Sequence, residues 1–127
     1  MLMTHVILRP TFSREDERGT LRELLNDGHW ESLLQGEMNV GAVMGNHYHK
    51  ETQVFFFLLS GRAYIVTEHI TTQDRDSFQI RAFEGVLLQT HEAHAIRFEE
   101  RSVYLMLKSR QYAISDPDTY EYSVRFD

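Results

Sequence analysis

The stretch GNHYHKETQVFFFLLSG, residues 45–61, contains a pair of histidines, a run of six apolar residues and a Ser-Gly turn. Side chains two positions apart on a strand project from the same face, so His47 and His49 face the same way. The apolar run Val54–Leu59 predicts a strand that is buried on both faces. Ser60-Gly61 predicts a tight turn that leads directly into another strand. The stretch therefore predicts a β-hairpin that is preceded by two histidines.

Further short β-like runs, separated by turn signals, lie on both sides of this hairpin. They are predicted at His5–Arg9, Ser32–Leu34, Met38–Met44, Arg62–Thr67, Phe78–Phe83, Val86–Gln89, Ala93–Phe98 and Val103–Lys108. The segment Leu21–Leu25 fits either a strand or a helix, since it is too short to decide. No long amphipathic helix is evident. We therefore predict an all-β protein, either a sandwich or a barrel.

The length of the chain limits the number of domains that it can form. The 127 residues are enough for one domain with a core and too few for two. Both prolines, Pro10 and Pro117, lie near the ends, and the sequence between them has no repeat, low-complexity tract or linker. We therefore predict a single domain that spans residues 1–127.

Composition excludes several classes of function. The chain has no cysteine, so disulfides and thiolate metal sites are impossible. Its net charge of −6 argues against a general nucleic-acid binder, which must neutralise phosphates. The longest apolar run is far too short to span a bilayer, and the N-terminus lacks the basic flank of a signal peptide. We predict a cytoplasmic protein whose partner is a small molecule, with no nucleic acid and no membrane.

The histidines are the strongest candidates for a functional site. A single histidine in a strand is more often a surface or core residue, but His47 and His49 share a face and His94 follows on a later strand. Three imidazoles from two strands can bind a divalent metal and leave positions open for other ligands. His91 lies in a turn, where alternation cannot orient it. The remaining histidines have no partners in sequence and are predicted to be structural or exposed: His5, His29 and His69.

These residues resemble the two motifs of the cupin superfamily. In the first motif a glycine, here Gly41, precedes the H-x-H pair by five residues, and a second glycine, Gly61, closes a hairpin. In the second motif a glycine starts a strand and a histidine follows a turn, as Gly85 and His94 do. The resemblance covers roughly residues 41–98. It implies a double-stranded β-helix, the jelly-roll barrel of cupins.

One position departs from the cupin pattern. Val54 stands where the first motif carries a glutamate, so the fourth protein ligand is missing. Gln53, next to it, is the alternative ligand if the spacer is one residue shorter, and Glu51 could also turn inward. The resemblance implies a divalent metal, zinc, nickel, iron or manganese, on the three histidines and Gln53. Partial occupancy and a metal-free histidine cluster both stay open.

A narrower resemblance extends over almost the whole chain. The segment DERGTLREL (Asp16–Leu24), the histidine stretch (45–61) and the tail KSRQYAISDPDTYEYSV (108–124) are similar to sugar-nucleotide cupins. These include dTDP-4-dehydrorhamnose 3,5-epimerases, dTDP-sugar 3,4-ketoisomerases and the C-terminal cupin domain of capsular polysaccharide reductases. Met44 replaces the basic residue that these relatives often have before the histidine pair.

The narrower resemblance implies an isomerase or epimerase of polysaccharide biosynthesis that acts on a nucleotide-linked keto-sugar. Such an enzyme needs a base to remove the proton beside the ketone, which His49 or His47 would provide, and an acid, for which we name Tyr112. Guanidinium groups are the favoured partners of a diphosphate. The candidates are Arg18, Arg62, Arg81 and Arg97, of which we name Arg18 and Arg62 as substrate-binding residues.

Two other classes of function stay open. One is a metal-dependent cupin enzyme, such as a dioxygenase, a lyase or a small-acid isomerase. The other is a non-catalytic cupin that binds a metal or a sugar, which the missing glutamate favours. In each case we predict a homodimer, because exposed strand edges invite pairing and the resembled families exchange N-terminal strands across a two-fold axis.

Overall fold

The computed structural model describes residues 5–127, which contain eleven β-strands in antiparallel sheets. The strands are β1 (Phe12–Asp16), β2 (Gly19–Glu23), β3 (Ser32–Met38), β4 (Val43–Tyr48), β5 (Val54–Ser60), β6 (Arg62–His69), β7 (Arg75–Arg81), β8 (Gly85–Leu88), β9 (Glu92–Phe98), β10 (Ser102–Lys108) and β11 (Tyr120–Glu121). Within this part of the chain there is no helix that could cross a membrane.

Two sheets enclose the barrel. One has four strands in the order β3-β10-β5-β8, and the other has five in the order β11-β4-β9-β6-β7. From β3 to β11, strands that are consecutive in sequence belong to opposite sheets, as in a jelly roll, except β6 and β7, which pair with each other. The predicted all-β, double-stranded β-helix fold is confirmed.

The closed end of the barrel is filled by apolar side chains. On β5, Val54, Phe56 and Leu58 face inward, and all five residues from Val54 to Leu58 are buried, so the prediction of a strand buried on both faces is confirmed. The inner faces of the other strands complete the core with Ala63, Ile65, Ile80, Val86, Leu88, Ile96, Phe98 and Tyr104. Burying a large apolar side chain contributes about 1.5–3 kcal/mol, so this core supplies the main driving force for closing the barrel.

The predicted strand His5–Arg9 is wrong. This segment touches the edges of two different sheets: Leu8 forms an isolated bridge with Gly85 on β8, and the backbone N–H of His5 donates to the carboxylate of Asp76 on β7. Because β7 and β8 end their respective sheets, a segment that joins both edges cannot follow either as a regular strand. It closes the gap between the two sheets.

The segment that follows forms a hairpin of β1 and β2, in register from Phe12 opposite Glu23 to Asp16 opposite Gly19. The stretch left open between strand and helix is therefore a strand. Almost every residue of the hairpin is exposed, including Phe12 at 50% and Leu21 at 54%. The hairpin therefore projects from the barrel with apolar side chains in solvent.

The predicted strand Met38–Met44 is wrong at its centre. The chain leaves β3 at Met38 and turns through residues 39–42, where the N–H of Ala42 donates to the carbonyl of Asn39. Gly41 has φ 84°, a left-handed conformation that glycine adopts without penalty. The apolar residues on either side of this turn belong to two strands of different sheets.

Residues 118–126, which we name the C-terminal tail, pair with β4 by way of β11 and then pack on the outer face of the five-stranded sheet. Val124 is 5% exposed and lies among outward-facing side chains of β6 and β9. The Tyr120 ring stacks on Tyr48 with centroids 5.4 Å apart, and Phe126 lies 6.2 Å from Tyr64. The tail therefore covers the face of the sheet opposite to the barrel interior.

Candidate functional site

Three histidines meet inside the open end of the barrel. His47 on β4 and His94 on β9 stand opposite each other in register, and His49 follows immediately after β4. The ring centroid of His47 lies 4.8 Å from that of His94 and 5.0 Å from that of His49, and His49 lies 5.7 Å from His94. Their candidate ligand atoms all lie within 4.8 Å of one another. The structure thus brings together the three histidines singled out from the sequence.

A β-bulge aims His47 at His94. The register between β4 and β9 shifts between Gly45 and His47, and Asn46, which has φ 58°, is the extra residue. Gly45 has φ 99°, and a Cβ there would lie 2.5 Å from the carbonyl oxygen of His94. The N–H of Val124 donates to Asn46 Oδ1 at 2.9 Å, which anchors the bulge to the C-terminal tail. Gly45 is therefore a steric requirement of the histidine pair.

The cluster lines a cavity of about 180 Å³ between the two sheets. Apart from the histidines, the lining is mostly apolar and consists of Leu34, Met44, Gly45, Val54, Leu88, Ile96, Tyr104, Met106 and Lys108. Val54 therefore occupies the place of the missing carboxylate with an isopropyl group. Gln53, which alternates with Val54 along the chain, does not line the cavity, and its amide donates to Gln89 Oε1 at 3.1 Å. The structure does not bring Gln53 to the histidine cluster.

The orientation of His49 depends on Asp118, the first residue of the C-terminal tail. His49 Nδ1 lies 2.8 Å from the main-chain carbonyl oxygen of Asp118, an acceptor, so Nδ1 carries the proton. Nε2 is then left with an unshared electron pair, as a proton acceptor or a metal ligand requires. The contact therefore fixes the tautomer of His49.

The side chain of Asp118 holds the loop that follows His49. Although it is 3% exposed, its carboxylate accepts hydrogen bonds from Lys50 N at 3.0 Å, Glu51 N at 2.9 Å and Thr52 Oγ1 at 2.7 Å. Burial raises the pKa of Asp118, but these hydrogen bonds outweigh burial and hold the pKa below its usual value. Asp118 therefore stays ionised and fixes the path from β4 to β5.

The histidines of the cluster are neutral at physiological pH. Burial, with the neighbouring charges of His49 and Lys108, lowers the pKa of His47 to about 4. Burial, with His47 and His49, lowers the pKa of His94 to about 3. Burial also lowers the pKa of His49, although the bond to Asp118 opposes this shift. Neutral imidazoles can accept a proton or bind a metal.

The predicted arginines lie outside the cavity. Arg18, at the tip of the β1–β2 hairpin, has a side chain that is 75% exposed and pairs with Asp16 at 2.7 Å. Arg62 starts β6 at the closed end of the barrel, where its guanidinium lies 3.2 Å from Glu100. Along β6 it alternates with the inward-facing Ala63, so it points away from the interior. The structure does not bring either arginine to the histidine cluster of its own chain.

Three other residues named from the sequence also lie away from the cavity. Tyr112 is 62% exposed and is not part of the cavity lining. Glu51 turns outward and pairs with Arg110 at 3.0 Å. His91 occupies a turn with φ 62°, and its backbone N–H donates to the carbonyl of His49 at 2.7 Å. His91 therefore supports the histidine pair through its main chain.

Two residues of the site were not named from the sequence, Asp118 and Lys108. Asp118 belongs to the segment 108–124 that resembles sugar-nucleotide cupins, and the resemblance implied no role for it. Lys108 ends β10, and strand alternation from Tyr104 could have placed it on the inner face. The contact between His49 and a main-chain carbonyl leaves no signal in the sequence.

A second cavity has a volume of about 330 Å³. It is lined by residues of polar types, namely Thr67, His69, Thr72, Asp74, Asp76, Gln89, Thr90 and Glu92. At its wall the imidazole of His5 contacts Asp76 at 2.8 Å through Nδ1 and Glu92 at 2.9 Å through Nε2. Burial lowers the pKa of His5, but these two carboxylates outweigh burial and raise the pKa above its usual value. His5 is thus part of the barrel wall.

Comparison with known proteins identifies a family for the chain. A family model described as the polysaccharide biosynthesis C-terminal domain matches residues 14–120. No curated protein sequence matches at a significant level.

Several solved structures share the fold. The capsular polysaccharide assembling protein CapF from Staphylococcus aureus is 21% identical, with a TM-score of 0.70 over 89% of this chain and 34% of that protein. This chain thus spans about a third of the length of CapF. A dTDP-4-dehydrorhamnose 3,5-epimerase from Bacillus anthracis, solved with TDP and PPi bound, is 14% identical, with a TM-score of 0.76 over 95% of this chain and 78% of that one. A 3,4-ketoisomerase from Helicobacter canadensis is 18% identical, with a TM-score of 0.72 over 91% of this chain and 88% of that one.

Proposed function

Since this chain belongs to the polysaccharide biosynthesis C-terminal domain family, we propose that it is an isomerase or epimerase of a nucleotide-linked keto-sugar. The observation that carries the proposal is the state of His49. Its Nδ1–H donates a hydrogen bond to the carbonyl oxygen of Asp118. Its ring lines a mostly apolar cavity together with two other neutral imidazoles. The similar epimerase and ketoisomerase structures support the same class of reaction.

In the proposed reaction, Nε2 of His49 removes the proton from the carbon beside the ketone. The electrons of the C–H bond form a carbon–carbon double bond, and the carbonyl electrons move to oxygen, which gives an enolate. The proton is then returned to carbon, on the opposite face in an epimerase or at the neighbouring carbon in an isomerase. His47 and His94 are the neighbouring imidazoles that can relay it. The acid named from the sequence, Tyr112, would have to move, because it is exposed and outside the lining.

The test is deuterium exchange at carbon. The protein is incubated in D₂O with dTDP-linked and UDP-linked 4-keto-sugars, and loss of the proton beside the ketone is followed by NMR. We expect exchange in the wild type and a loss of about 10²–10⁴-fold in His49→Gln. His29→Gln is the matched control, because the side chain of His29 is 81% exposed. Equal exchange in both variants would contradict the role of His49.

We also propose that the working form is a homodimer with Arg18 in a nucleotide site. The β1–β2 hairpin exposes Phe12 and Leu21, which suits packing against a second copy of the chain. Arg18 at its tip would then hold a diphosphate at the mouth of the partner's barrel, where a guanidinium binds phosphate in a bidentate manner. Sedimentation that yields a 15.0 kDa species at micromolar concentration would rule out the dimer.

A metal-dependent cupin is the second candidate. The three histidines fit a divalent cation, since their ligand atoms lie within 4.8 Å of one another and the buried Nδ1 of His94 has no hydrogen-bond partner among the described residues. His47, His49 and His94 would hold zinc, nickel, iron or manganese without a carboxylate. When bound, the ion would supply a Lewis acid that polarises a carbonyl oxygen.

Elemental analysis of protein purified without chelator or nickel resin tests this candidate, together with a thermal-shift screen of the four metals. A metal that stabilises the wild type and not His94→Gln would support a metal centre. An effect of none of the metals would favour the metal-free reaction. Stabilisation by metal or sugar without any exchange at carbon would instead favour a non-catalytic binding protein. A cytoplasmic location stays a prediction.

A further inference from the structure

We infer that Lys108 is a further catalytic residue of the cavity, whose ammonium group holds the negatively charged oxygen of the reaction intermediate. The inference rests on the proposed function for the identity of that oxygen. It rests on the position and charge of Lys108 for the existence of an anion site.

The position follows from strand alternation. Tyr104, Met106 and Lys108 occupy alternate positions of β10, and all three line the cavity that contains the histidines. Lys108 is in register with Val54 on β5, which also lines the cavity. The end of β10 therefore delivers a cation from the four-stranded sheet, opposite the histidines, which belong to the five-stranded sheet.

The charge of Lys108 is unbalanced. Among the residues that line the cavity, Lys108 carries the one ammonium group, and none of them has a carboxylate. Within residues 5–127, no carboxylate oxygen lies within 4.0 Å of its ammonium group, whereas most arginines of the chain are paired. A half-buried ammonium without a carboxylate partner favours an anion beside it.

Lys50, the only other lysine of the sequence, lies outside the cavity, in contrast to Lys108. Its ammonium lies 4.3 Å from the centroid of the Tyr120 ring, on the outside of the barrel, and it does not line the cavity. Lys50 therefore provides a matched control for every measurement on Lys108.

The chemistry needs such a group. Removal of the proton beside a ketone by His49 leaves an imidazolium near the carbon and a negative charge on the carbonyl oxygen. The ammonium of Lys108 donates a hydrogen bond to that oxygen and keeps its own proton throughout. When the carbon is reprotonated, the electrons return from oxygen, the ketone re-forms and the hydrogen bond weakens. A fixed donor in a cavity shielded from water stabilises such an oxyanion more than water does.

The first experiment compares Lys108→Met with Lys50→Met in the exchange assay. We expect Lys108→Met to lose about 10²–10³-fold in kcat, the effect of removing one oxyanion donor. The KM of Lys108→Met should stay within about threefold of the wild-type value, and the matching nucleoside diphosphate should raise its melting temperature as much as that of the wild type. Lys50→Met should retain full activity. A Lys108→Met enzyme with kcat within threefold of the wild type would overturn the inference. So would a loss that is confined to KM.

A second experiment separates this inference from the proposed function. Reductive methylation with ¹³C-formaldehyde labels both lysines together with the terminal α-amine and preserves their charge. Lys50→Met and Lys108→Met then identify the NMR signals of the two lysines. Acetate, a small planar anion, is then titrated into the wild type. We expect the Lys108 signal to shift and saturate while the Lys50 signal stays in place. If no keto-sugar exchanges but Lys108 still responds, the proposed function fails and the anion site stands. If the Lys108 signal does not move, or both signals move alike, the anion site is refuted.

Discussion

His5 and Glu92 lie 87 positions apart in sequence, yet His5 Nε2 contacts Glu92 Oε1 at 2.9 Å. The other ring nitrogen of His5 contacts Asp76 at 2.8 Å. A neutral imidazole has a single N–H and can donate to only one of these carboxylates, so both contacts are satisfied only when His5 is protonated. The segment that closes the gap between the two sheets is therefore held by an imidazolium.

The first prediction concerns this contact at high pH. Because the two carboxylates raise the pKa of His5 in the folded state, its stabilisation is complete below about pH 6.5, the pKa of unfolded histidine, and is lost as pH rises through the folded pKa. His5→Gln should therefore be less stable than the wild type at pH 5.5, and the difference should shrink by pH 9. Urea unfolding across this range measures it, with His29→Gln as control. A difference independent of pH would exclude the imidazolium.

The second prediction concerns low pH. Burial lowers the pKa of His47 to about 4 and of His94 to about 3, so the unfolded chain binds protons below pH 6.5 that the folded chain does not. Stability should fall as pH drops from 6.5 to about 4, by about 1.4 kcal/mol per pH unit for each such histidine. His47→Gln should flatten this dependence by about one proton, as measured by urea unfolding. An unchanged slope in His47→Gln would contradict the buried neutral state.

The third prediction separates backbone strain from steric overlap at the bulge. Gly41 and Gly45 both have positive φ, at 84° and 99°, but a Cβ on Gly41 would meet nothing within 4 Å whereas one on Gly45 would overlap the carbonyl of His94. Gly41→Ala should cost about 1–2 kcal/mol, the left-handed penalty alone. Gly45→Ala should cost at least about 2 kcal/mol more and should displace His47. If urea unfolding shows that both variants lose the same free energy of unfolding, then β9 moves away from the new Cβ at position 45 without penalty.

The fourth prediction concerns Asp118. Replacement of its carboxylate by an amide in Asp118→Asn leaves at least one of the three donors without an acceptor and should cost about 1.5–3 kcal/mol. Because the low pKa of Asp118 stabilises the folded state above its unfolded pKa, the loss should diminish as pH falls through the acid range. Exchange at carbon should also fall, since His49 shifts with the loop. Asp116→Asn is the control, because the side chain of Asp116 is 58% exposed.

The fifth prediction concerns Arg18. Arg18→Ala should weaken the thermal shift that thymidine or uridine diphosphate produces, without lowering the melting temperature of the free protein, because the side chain of Arg18 is exposed. Arg14→Ala, on the same hairpin, is the control for a general loss of positive charge. If no nucleotide stabilises the wild type at millimolar concentration, the nucleotide site loses its support.

Much of the fold could be predicted because it rests on local signals. The apolar run of β5, the Gly61 turn and the spacing of the histidines each depend on a few neighbouring residues. The N-terminal segment could not be predicted in the same way, since its conformation is set by two sheet edges that lie far away in sequence.

The site shows the same division. The three histidines were identified from strand alternation and motif spacing, whereas the roles of Asp118 and Lys108 depend on which distant strands meet. Gln53 and Arg62 do not reach the cavity because the side chain of each leaves the backbone on the side opposite to that of an inward-facing neighbour. Alternation relative to Val54 and Ala63 turns both of them away from the cavity.

Because His49 donates a hydrogen bond to Asp118, its ring is correctly oriented only while the C-terminal tail is in place. Local unfolding of the tail would remove the acceptor of His49, release the loop that begins at Lys50 and let the imidazole change tautomer, all without opening the barrel. The free energy of opening the tail sets how stable the arrangement of His49 is. It can be smaller than the free energy of unfolding the whole domain. Amide hydrogen exchange at Tyr122 and Val124 therefore measures the fraction of folded molecules in which the tail is open and His49 has lost its acceptor.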